Sequence, residues 1–440
     1  MIGAELPDMR VPPPGPRSRA LAARLALVES PVFEARRDAR TAASGEDHAA
    51  IVYSFGHGSN VVDVDANRYV DLTAGFGALL LGYGPNAATE AARTTLDELT
   101  LALGDVYASE LKVRACEALS ALFPERGARV MFGLSGADAV TCALKTAALA
   151  TKKPAVVAFE GSYHGLSHGP LAASGFSAAF REPFAAQLGL DVTFAPYPGS
   201  TAGRDTLDAS LSAVREATRR RHVGCVLVEP ILGRGGCVVP PAAFLPALRA
   251  ICDESGALLV ADEVWTGMGR AGTILACERA GVVPDVVCLG KGLGGGFAIS
   301  ACVGRARVME AWGAHGGATI HTGTHFGAPP ACAALLATVA TIVDGELAAR
   351  AEDLGDMALD ELASACGDRA VVRGRGLMIG IDLGSAPRAL AVARALLARG
   401  YIVLTGGVRG DALTLSPALT ISPELLSAFA DALGDVVRAQ

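Results

Sequence analysis

The chain has 440 residues, of which 51% are hydrophobic and 19% charged, and its formal net charge is −7. This length exceeds what a single hydrophobic core usually organises, so we expect two or more domains. The composition excludes an intrinsically disordered protein. Basic residues cluster tightly only over 219–222, a pattern more typical of a solvated helix end than of a nucleic-acid site. No nucleic-acid partner is therefore expected.

Membrane and secretory proteins are not indicated either. No stretch approaches the roughly 18 consecutive apolar residues of a membrane span, and the first thirty residues lack the apolar core of a secretory signal. Ten cysteines lie between Cys116 and Cys366 without a C-x-x-C pair, which is typical of reduced thiols in a protein core. We predict a soluble, cytoplasmic protein with no membrane partner.

The pattern of apolar residues changes along the chain. After an Ala/Arg-rich segment with helical spacing, alternating runs over 51–55, 61–64 and 69–71 predict a small antiparallel meander. Between residues 111 and 304, helix-like stretches alternate with short apolar strands, which predicts one large sheet with parallel crossovers. These strands are expected at 130–132, 155–159, 225–228, 258–261, 286–289 and 301–303.

The last part of the chain has a pattern of its own. A long Ala/Leu-rich helix is predicted from Pro329 to Val343. It leads into a block with predicted strands at 377–383, 401–404 and 413–421, separated by helices. This alternation predicts a second α/β domain.

Two charged residues terminate predicted strands of the large sheet. Asp262 ends the apolar run that begins at Leu258, and Lys291 follows the run 286–289 directly before a glycine-rich stretch. The carboxyl edge of a parallel sheet is where ligands bind, and glycines would let a flat ligand approach the backbone. A surface lysine in a turn is the alternative for Lys291. A P-loop and a dinucleotide fingerprint do not fit the order of the glycines.

Two further strand ends carry groups suited to a flat, phosphorylated ligand. Ser135 begins a predicted helix, where backbone N–H groups, the helix dipole and a hydroxyl favour a phosphate; an ordinary helix cap is the alternative. Tyr163 is placed to stack on a flat ring, and a half-buried loop tyrosine is the alternative. With Asp262 and Lys291, these residues are the parts that a pyridoxal phosphate site requires.

From about Val61 to Ile421 the sequence resembles the class III aminotransferases, which are pyridoxal-phosphate enzymes of fold type I. The motifs that carry the resemblance are Ser135-Gly-Ala-Asp-Ala139, Tyr163-His-Gly165, Glu229-Pro-Ile, Asp262-Glu-Val, Gly267-x-Gly-Arg270 and Gly290-Lys-Gly-Leu-Gly-Gly295. The resemblance implies an α/β fold with a large cofactor-binding domain around a mostly parallel sheet, over residues 71–335. It also implies a small α/β domain built from both chain ends, residues 1–70 and 336–440.

The resemblance further implies roles for individual residues. Lys291 forms a Schiff base with the cofactor and carries the proton, and Asp262 keeps the cofactor's ring nitrogen protonated. Thr324 resembles a threonine that reaches the cofactor phosphate of a neighbouring subunit, which implies a homodimer or a dimer of dimers with sites at the subunit boundary. The remaining implied cofactor contacts are Ser135, Gly136 and Ala137 at the phosphate, Tyr163 and Val264 on the two ring faces, and His164 and Glu229 nearby.

The departures from the family concern the substrate. Many members bind a substrate carboxylate through an arginine at the position of Thr414, and Arg234 stands where an acid often opposes that arginine. These changes argue against ornithine, acetylornithine or 4-aminobutyrate as substrate. Arg409 lies in a nearby loop, as in the omega-amine and β-alanine:pyruvate branch, where a mobile arginine binds keto acids; a solvated loop arginine is the alternative. Trp265 either narrows the pocket or packs under its strand, and packing is the preferred interpretation.

The resemblance favours a transaminase that moves an amino group from an amine or omega-amino acid to a keto acid such as pyruvate. The same cofactor residues would serve an epimerase or aminomutase, which is the main alternative; a decarboxylase and a non-catalytic, cofactor-binding regulatory protein are more remote ones. The histidines His164, His168 and His325 lack metal-ligand spacing, so no metal is expected.

Overall fold

The computed structural model describes residues 3–199, 206–314 and 316–439. The described residues up to Asn86, together with those from Arg350 onward, form one compact unit. Residues 87–349 form the second and larger one. The chain thus leaves its first unit once and returns to it.

The N-terminal part of the first unit contains the predicted meander. Its strands are β1 (Tyr53–His57), β2 (Asn60–Asp63) and β3 (Arg68–Asp71), which pair antiparallel in that order. The helices of this part are α1 (Pro16–Ala26), α2 (Pro31–Ser44) and α3 (Ala74–Gly77). Both long helices begin with proline, whose missing N–H costs nothing in the first turn. The meander prediction is confirmed.

The second unit is built around a seven-stranded sheet within the described residues. Its strands are β4 (Arg129–Gly133), β5 (Ala155–Phe159), β6 (Val192–Ala195), β7 (Val223–Val228), β8 (Leu258–Asp262), β9 (Val286–Leu289) and β10 (Ser300–Gly304). They lie in the order β4-β10-β9-β8-β7-β5-β6. The five strands from β9 to β6 pair parallel, whereas β10 is antiparallel to both neighbours. The prediction of a large, mostly parallel sheet is confirmed.

Helices connect these strands and cover the sheet. They are α4 (Ala87–Glu98), α5 (Glu110–Leu122), α6 (Gly136–Thr151), α7 (His168–Ala173), α8 (Ala178–Arg181), α9 (Leu207–Arg220), α10 (Phe244–Ser255), α11 (Ala306–Met309) and α12 (Pro329–Asp344). Short 3-10 helices lie at Glu182–Gln187, Ala276–Ala280, Lys291–Gly294 and Glu310–Ala314. The core of the unit forms where α6 places Ala139, Val140 and Ala143 against buried strand residues such as Leu227 and Val260. This packing holds the strand ends of the site in fixed positions.

The C-terminal part of the first unit carries a second antiparallel sheet. Its elements are α13 (Leu347–Cys366), a 3-10 helix (Gly367–Arg369), β11 (Val371–Arg375), β12 (Met378–Asp382), α14 (Ala386–Ala398), β13 (Tyr401–Ile402), β14 (Leu404–Gly406), β15 (Ala412–Leu415) and α15 (Pro423–Arg438). Four of these strands form a sheet in the order β11-β12-β15-β14, and β13 pairs parallel with β3. The two chain ends therefore share one sheet, which agrees with the α/β architecture implied by the resemblance.

Three details differ from the expectations. The divisions at 86/87 and 349/350 lie later than the expected 70/71 and 335/336, because α12 packs against α4 and α5 of the larger unit. The strand expected at 413–421 ends at Leu415, since Pro417 cannot donate to the ladder. The edge strand β6 and the half-exposed β11 were not predicted.

Within the described residues, no single helix has the length and apolar character of a membrane span. Only a bent pair, Pro329–Asp344 with Leu347–Arg369, meets those two criteria together. The described residues also contain no group of three or more His, Cys, Asp or Glu side chains arranged to hold a metal ion.

Candidate active site

The predicted site residues of the larger unit follow the carboxyl ends of neighbouring strands. Tyr163 follows β5, Glu229 follows β7, Asp262 ends β8 and Lys291 follows β9. The end of β4 leads through Ser135 into α6. Because parallel strands present their carboxyl ends at one edge of a sheet, residues separated by 156 positions of sequence are brought to the same edge.

Lys291 has an unusual backbone and a buried amine. Its φ is +44°, in the left-handed region that side chains other than glycine seldom adopt, and strain of this kind is concentrated at functional sites. Its Nζ atom lies 3.9 Å from the centre of the Trp265 ring. Burial lowers the pKa of Lys291 to about 8, while the negative charges of Glu229 and Asp262 oppose that decrease.

Trp265 lines the site beside this amine. Its ring faces Lys291 Nζ, an arrangement that favours the interpretation that Trp265 narrows the pocket. The strand ends at Asp262, and the chain turns before Trp265. The turn is fixed by the buried carboxylate of Glu263, which accepts hydrogen bonds from the Thr266 hydroxyl at 2.8 Å and from the Ala276 and Cys277 N–H groups at 2.7 and 2.9 Å.

Asp262 is held by His164. His164 Nδ1 lies 2.7 Å from Asp262 Oδ2, and the Val264 N–H donates to Asp262 Oδ1 at 3.1 Å. An ionised Asp262 can only accept, so Nδ1 carries the hydrogen of this pair. The backbone N–H of His164 in turn donates to Ser174 Oγ at 2.9 Å. Ser174 thus positions His164, and His164 orients the carboxylate of Asp262.

Glu229 joins two loops of the site. Its Oε1 atom accepts the Tyr163 N–H at 2.7 Å, and its Oε2 atom accepts the Gly233 N–H at 2.9 Å. Burial raises the pKa of Glu229 to about 7, against the opposing influence of His164 and its two backbone hydrogen bonds. The carboxylate therefore has a positioning role, and its charge also acts on Lys291.

Ser135 caps helix α6. Its Oγ atom accepts the Asp138 N–H at 3.3 Å and donates to Asp138 Oδ2 at 3.1 Å, while Asp138 Oδ2 also accepts the Leu134 and Ser135 N–H groups at 3.0 and 2.9 Å. This reciprocal cap is the alternative considered above for Ser135. The next two N–H groups, of Gly136 and Ala137, have no acceptor inside the helix because of their position in its first turn. They are the donors best suited to a phosphate.

Val264 closes the space between the ends of β4 and β9. A Cβ atom on Gly136 would lie 2.6 Å from Val264 Cγ1, and one on Gly290 would lie 3.3 Å from the same methyl group. Both glycines are therefore needed for Val264 to approach the start of α6. Tyr163 lies elsewhere along the edge, with its ring edge-on to Phe176 at 6.3 Å between centroids. The Arg234 guanidinium lies over the Tyr163 ring.

Thr324 and Arg409 are the two remaining predicted site residues. Thr324 is exposed in a turn before α12, and its side chain makes no hydrogen bond within the described part of the chain. Arg409 belongs to the other unit, where its Nη2 and Nε atoms lie 2.6 and 2.7 Å from Asp411 Oδ2. Thr414, also in that unit, is a buried residue of β15.

Sequence reasoning did not identify Asp138, Ser174 or Glu263. The spacing Ser135-x-x-Asp138 is a recognisable capping pattern and could have been used. Ser174 and Glu263 were not identified because the backbone N–H groups they accept from, of His164 and of Ala276 and Cys277, lie 10, 13 and 14 residues away in the chain.

The polar groups of the site are suited to pyridoxal phosphate, and some of them have no hydrogen-bond partner within the described residues. The buried Trp265 Nε1 and His164 Nε2 atoms have no hydrogen-bond partner within the described residues. A buried amine, a buried carboxylate and the first N–H groups of a long helix lie along the same edge. These groups can receive an aldehyde, a protonated ring nitrogen and a phosphate respectively.

Comparison with known proteins gives the same assignment. The family model described as aminotransferase class-III matches residues 41–437. The chain is 38% identical to an acetylornithine aminotransferase of Methanopyrus kandleri over 386 residues, 87% of this chain and 93% of that protein. It is 35% identical to a 4-aminobutyrate aminotransferase of Mycobacterium tuberculosis over 446 residues, 94% of each protein.

A solved structure is also similar. An amine transaminase from an uncultivated Pseudomonas species, in its pyridoxal-phosphate-bound form, superposes with a TM-score of 0.82 at 27% identity, over 89% of this chain and 95% of that one. These comparisons support amino transfer over the epimerase alternative. The chain belongs to the class III aminotransferases and is a pyridoxal-phosphate-dependent enzyme.

Proposed function

We propose that this aminotransferase takes the amino group of an amine or omega-amino acid and passes it to a keto acid, with Lys291 as the base. The observation that carries the proposal is the Lys291 amine, buried against Trp265 at 3.9 Å. Burial lowers its pKa from 10.5 to about 8, so a far larger fraction of the amine is neutral near physiological pH than in an exposed lysine, although the protonated form still predominates. A neutral amine can take a proton from a bound substrate and return it to another atom.

The cofactor, when bound, supplies an electron sink for the substrate carbon that loses its proton. The chain supplies the remaining functions. The Asp262 carboxylate, oriented by His164, would keep the cofactor's ring nitrogen protonated. The N–H groups of Gly136 and Ala137 would hold the phosphate, and Val264 and Tyr163 would lie against the cofactor ring. Lys291 Nζ moves the proton.

The choice of donor is supported by the relatives. One is named for 4-aminobutyrate, an omega-amino acid, and the similar structure is an amine transaminase. Thr414 and Arg234 argue against 4-aminobutyrate itself, so the relatives support the class of donor and not that compound. Arg409 was the expected ligand of the keto acid. Since Arg409 pairs with the buried Asp411, any such role would first require breaking that ion pair. An unchanged keto-acid KM in Arg409→Ala would remove Arg409 from the substrate site.

The test is a half-reaction followed by a full one. The purified holoenzyme is mixed with each donor in the absence of a keto acid, and conversion of the cofactor to pyridoxamine phosphate is quantified by chromatography. We expect stoichiometric conversion, then turnover when pyruvate or 2-oxoglutarate is added, and neither in Lys291→Ala. Loss of optical purity in a chiral donor with the cofactor unchanged would instead establish an epimerase.

We also propose that the active form is a homodimer, or a dimer of dimers, in which Thr324 contacts the cofactor phosphate of the neighbouring subunit. The exposed Thr324 side chain supports this. So does a run of exposed apolar side chains from the end of α4 to the start of α5, because such surfaces are usually covered in assemblies. These side chains are Leu96, Leu99, Leu101, Leu103, Val106, Tyr107 and Val113. Light scattering coupled to size-exclusion chromatography should give at least twice the chain mass, and a monomeric holoenzyme with full activity would refute the proposal.

A cytoplasmic location is proposed from the cysteines. All ten are free, and nine of them are buried. Unpaired thiols of this number are typical of reducing compartments. Cell fractionation, with thiol counting on the unreduced protein, tests this: a membrane-bound or secreted fraction would contradict it.

A further inference from the structure

Trp265 extends from a turn whose backbone is fixed on both sides. Before it, the buried carboxylate of Glu263 accepts hydrogen bonds from the Thr266 hydroxyl and from two backbone N–H groups farther along the chain. After it, the Gly267 N–H donates to the Glu263 carbonyl oxygen at 3.0 Å, and a Cβ atom on Gly267 would lie only 2.8 Å from that oxygen. The position from which the indole ring extends is therefore set by packing and hydrogen bonds of the turn.

The ring faces the end of the Lys291 side chain. Lys291 Nζ lies 3.9 Å from the ring centre, well inside the distance of about 6 Å over which an aromatic face attracts an ammonium group. Within the described residues, Lys291 Nζ takes part in no hydrogen bond and lies within ion-pair distance of neither Asp262 nor Glu229. The indole ring is therefore the contact that positions the amine.

A ring face suits an amine that changes its protonation state. An ion pair with Asp262 or Glu229 would stabilise the ammonium form, which has no lone pair and cannot take up a proton. The face of Trp265 attracts the ammonium form through its π electrons, and it also accepts an N–H of the neutral form. In the neutral amine, an N–H directed at the ring leaves the lone pair facing away from it. The ring can thus hold Lys291 both before and after it takes a proton.

The proton-carrying state of Lys291 needs such a contact. While it carries a proton, Lys291 is not bonded to the cofactor and is joined to the protein only through its flexible four-carbon side chain. A base acts only when it lies within hydrogen-bond reach of the proton that it removes. A free amine that moves away from the ring is lost to the reaction until it returns.

From this geometry we infer that Trp265 is a positioning residue for the proton carrier: its ring face holds the free Lys291 amine beside the reacting atoms, in the neutral and in the protonated state. The inference rests on the proposed function, because it concerns the amine to which that function assigns the proton transfer. Trp265 acts through Lys291. Its loss should therefore slow the proton transfer and change the binding of the donor little.

The test compares two replacements in the half-reaction of the holoenzyme, with a donor that carries deuterium or hydrogen on the carbon that loses its proton. Trp265→Leu keeps an apolar side chain and removes the aromatic face. We expect it to slow the half-reaction at least tenfold and to raise the isotope effect, with the half-saturating donor concentration within threefold of wild type. Trp265→Phe keeps a face and should recover most of the rate. Trp312→Leu, which removes the other tryptophan, should stay within twofold of wild type.

A second measurement needs no turnover. Lys291→Ala removes the tethered amine, and methylamine serves as a free replacement; the protein is loaded with pyridoxamine phosphate, which has no aldehyde to capture the methylamine. Ligand-observed NMR titration should give a Kd for methylamine at least fivefold weaker when Trp265→Leu is added to Lys291→Ala. The addition of Trp265→Phe should give an intermediate value.

Two results would overturn the inference. One is a Trp265→Phe enzyme as slow as Trp265→Leu, because the aromatic face would then have no effect of its own. The other is equal methylamine binding in the three Lys291→Ala proteins. If no donor reacts with the wild type but methylamine binding still depends on the ring, the proposed function fails and the role of Trp265 in holding an amine stands.

Discussion

His164 Nδ1 and Asp262 Oδ2 lie 2.7 Å apart, and both side chains are buried. In a low-dielectric interior, a carboxylate that loses its donor keeps the full cost of its desolvation. The pair therefore stabilises the folded protein whether or not the cofactor is bound. Together with the Val264 N–H, it fixes the orientation of the Asp262 carboxylate.

Replacing His164 should separate these roles. We expect His164→Phe to lower the unfolding free energy of the apoprotein by about 1–3 kcal/mol, because Asp262 is left without its donor. His164→Asn, whose amide can donate from a similar position, should recover part of this loss. Urea denaturation measures both. The exposed His168 provides the control, and His168→Phe should change the unfolding free energy by less than half as much; equal effects at the two histidines would contradict the argument.

The pH dependence of cofactor capture should report the Lys291 amine. Its pKa is lowered to about 8 by burial, and only the neutral amine attacks an aldehyde. We expect the rate of covalent capture of pyridoxal phosphate by the apoprotein to rise with pH and level off above about 8. Borohydride reduction followed by peptide mass spectrometry should place the label on Lys291.

The Lys291 amine should also make the free energy of unfolding depend on pH. Between the folded pKa of about 8 and the ordinary value of 10.5, the unfolded chain binds more protons than the folded one, so stability rises with pH in this window. Below about 8 the cost of burying the charged amine is fully present. Lys291→Met should remove this dependence. A parallel pH profile for wild type and Lys291→Met would show that the amine is not responsible.

Glu229 should have the opposite dependence at lower pH. Burial raises its pKa from 4.5 to about 7, so the folded protein binds more protons than the unfolded chain between these values. Its contribution to stability is consequently lost as pH rises through about 7. We expect the wild type to lose stability relative to Glu229→Gln from pH 5 to pH 7.5. Gln can accept through its one oxygen only, so either the Tyr163 or the Gly233 N–H loses its acceptor. The variant should therefore also lose some unfolding free energy by an amount that does not change with pH.

Gly136→Ala should disturb the start of α6. The new Cβ atom would lie 2.6 Å from Val264 Cγ1, an overlap that costs about 1–3 kcal/mol in packed interiors. We expect a lower melting temperature and weaker binding of pyridoxal phosphate. Val264→Ala removes the clashing methyl groups and should suppress part of the defect. Gly189→Ala is the matched control, because a Cβ there meets nothing within 4 Å; a Gly136→Ala variant that matches this control would refute the steric argument.

The sequence allowed much of the sheet and its edge to be predicted. Strands such as 155–159 and 286–289 were found with their observed limits, because a buried parallel strand is a continuous apolar run. The half-exposed β6 and β11 lack that run. Lys291 and Asp262 were recognisable because charged residues ended apolar strands.

Side-chain direction was not predictable in the same way. Nothing in the order of residues around Trp265 indicates that the ring turns toward Lys291, since the turn depends on Glu263 and on the N–H groups of Ala276 and Cys277. The rings around Arg234, of Tyr163, Phe176 and Phe180, likewise come from two loops and helix α8. Contacts of this kind are set by tertiary packing and leave no local pattern.

Because Trp265 lies against the Lys291 amine, its fluorescence can report on the state of that amine. The chain has two tryptophans, and the other, Trp312, donates its Nε1–H to Thr146 Oγ1 at 2.9 Å. In a Trp312→Phe background, all tryptophan fluorescence would come from the ring that touches the reactive amine. The emission of the intact protein would then indicate whether that amine is free or occupied, with no substrate added and no label attached.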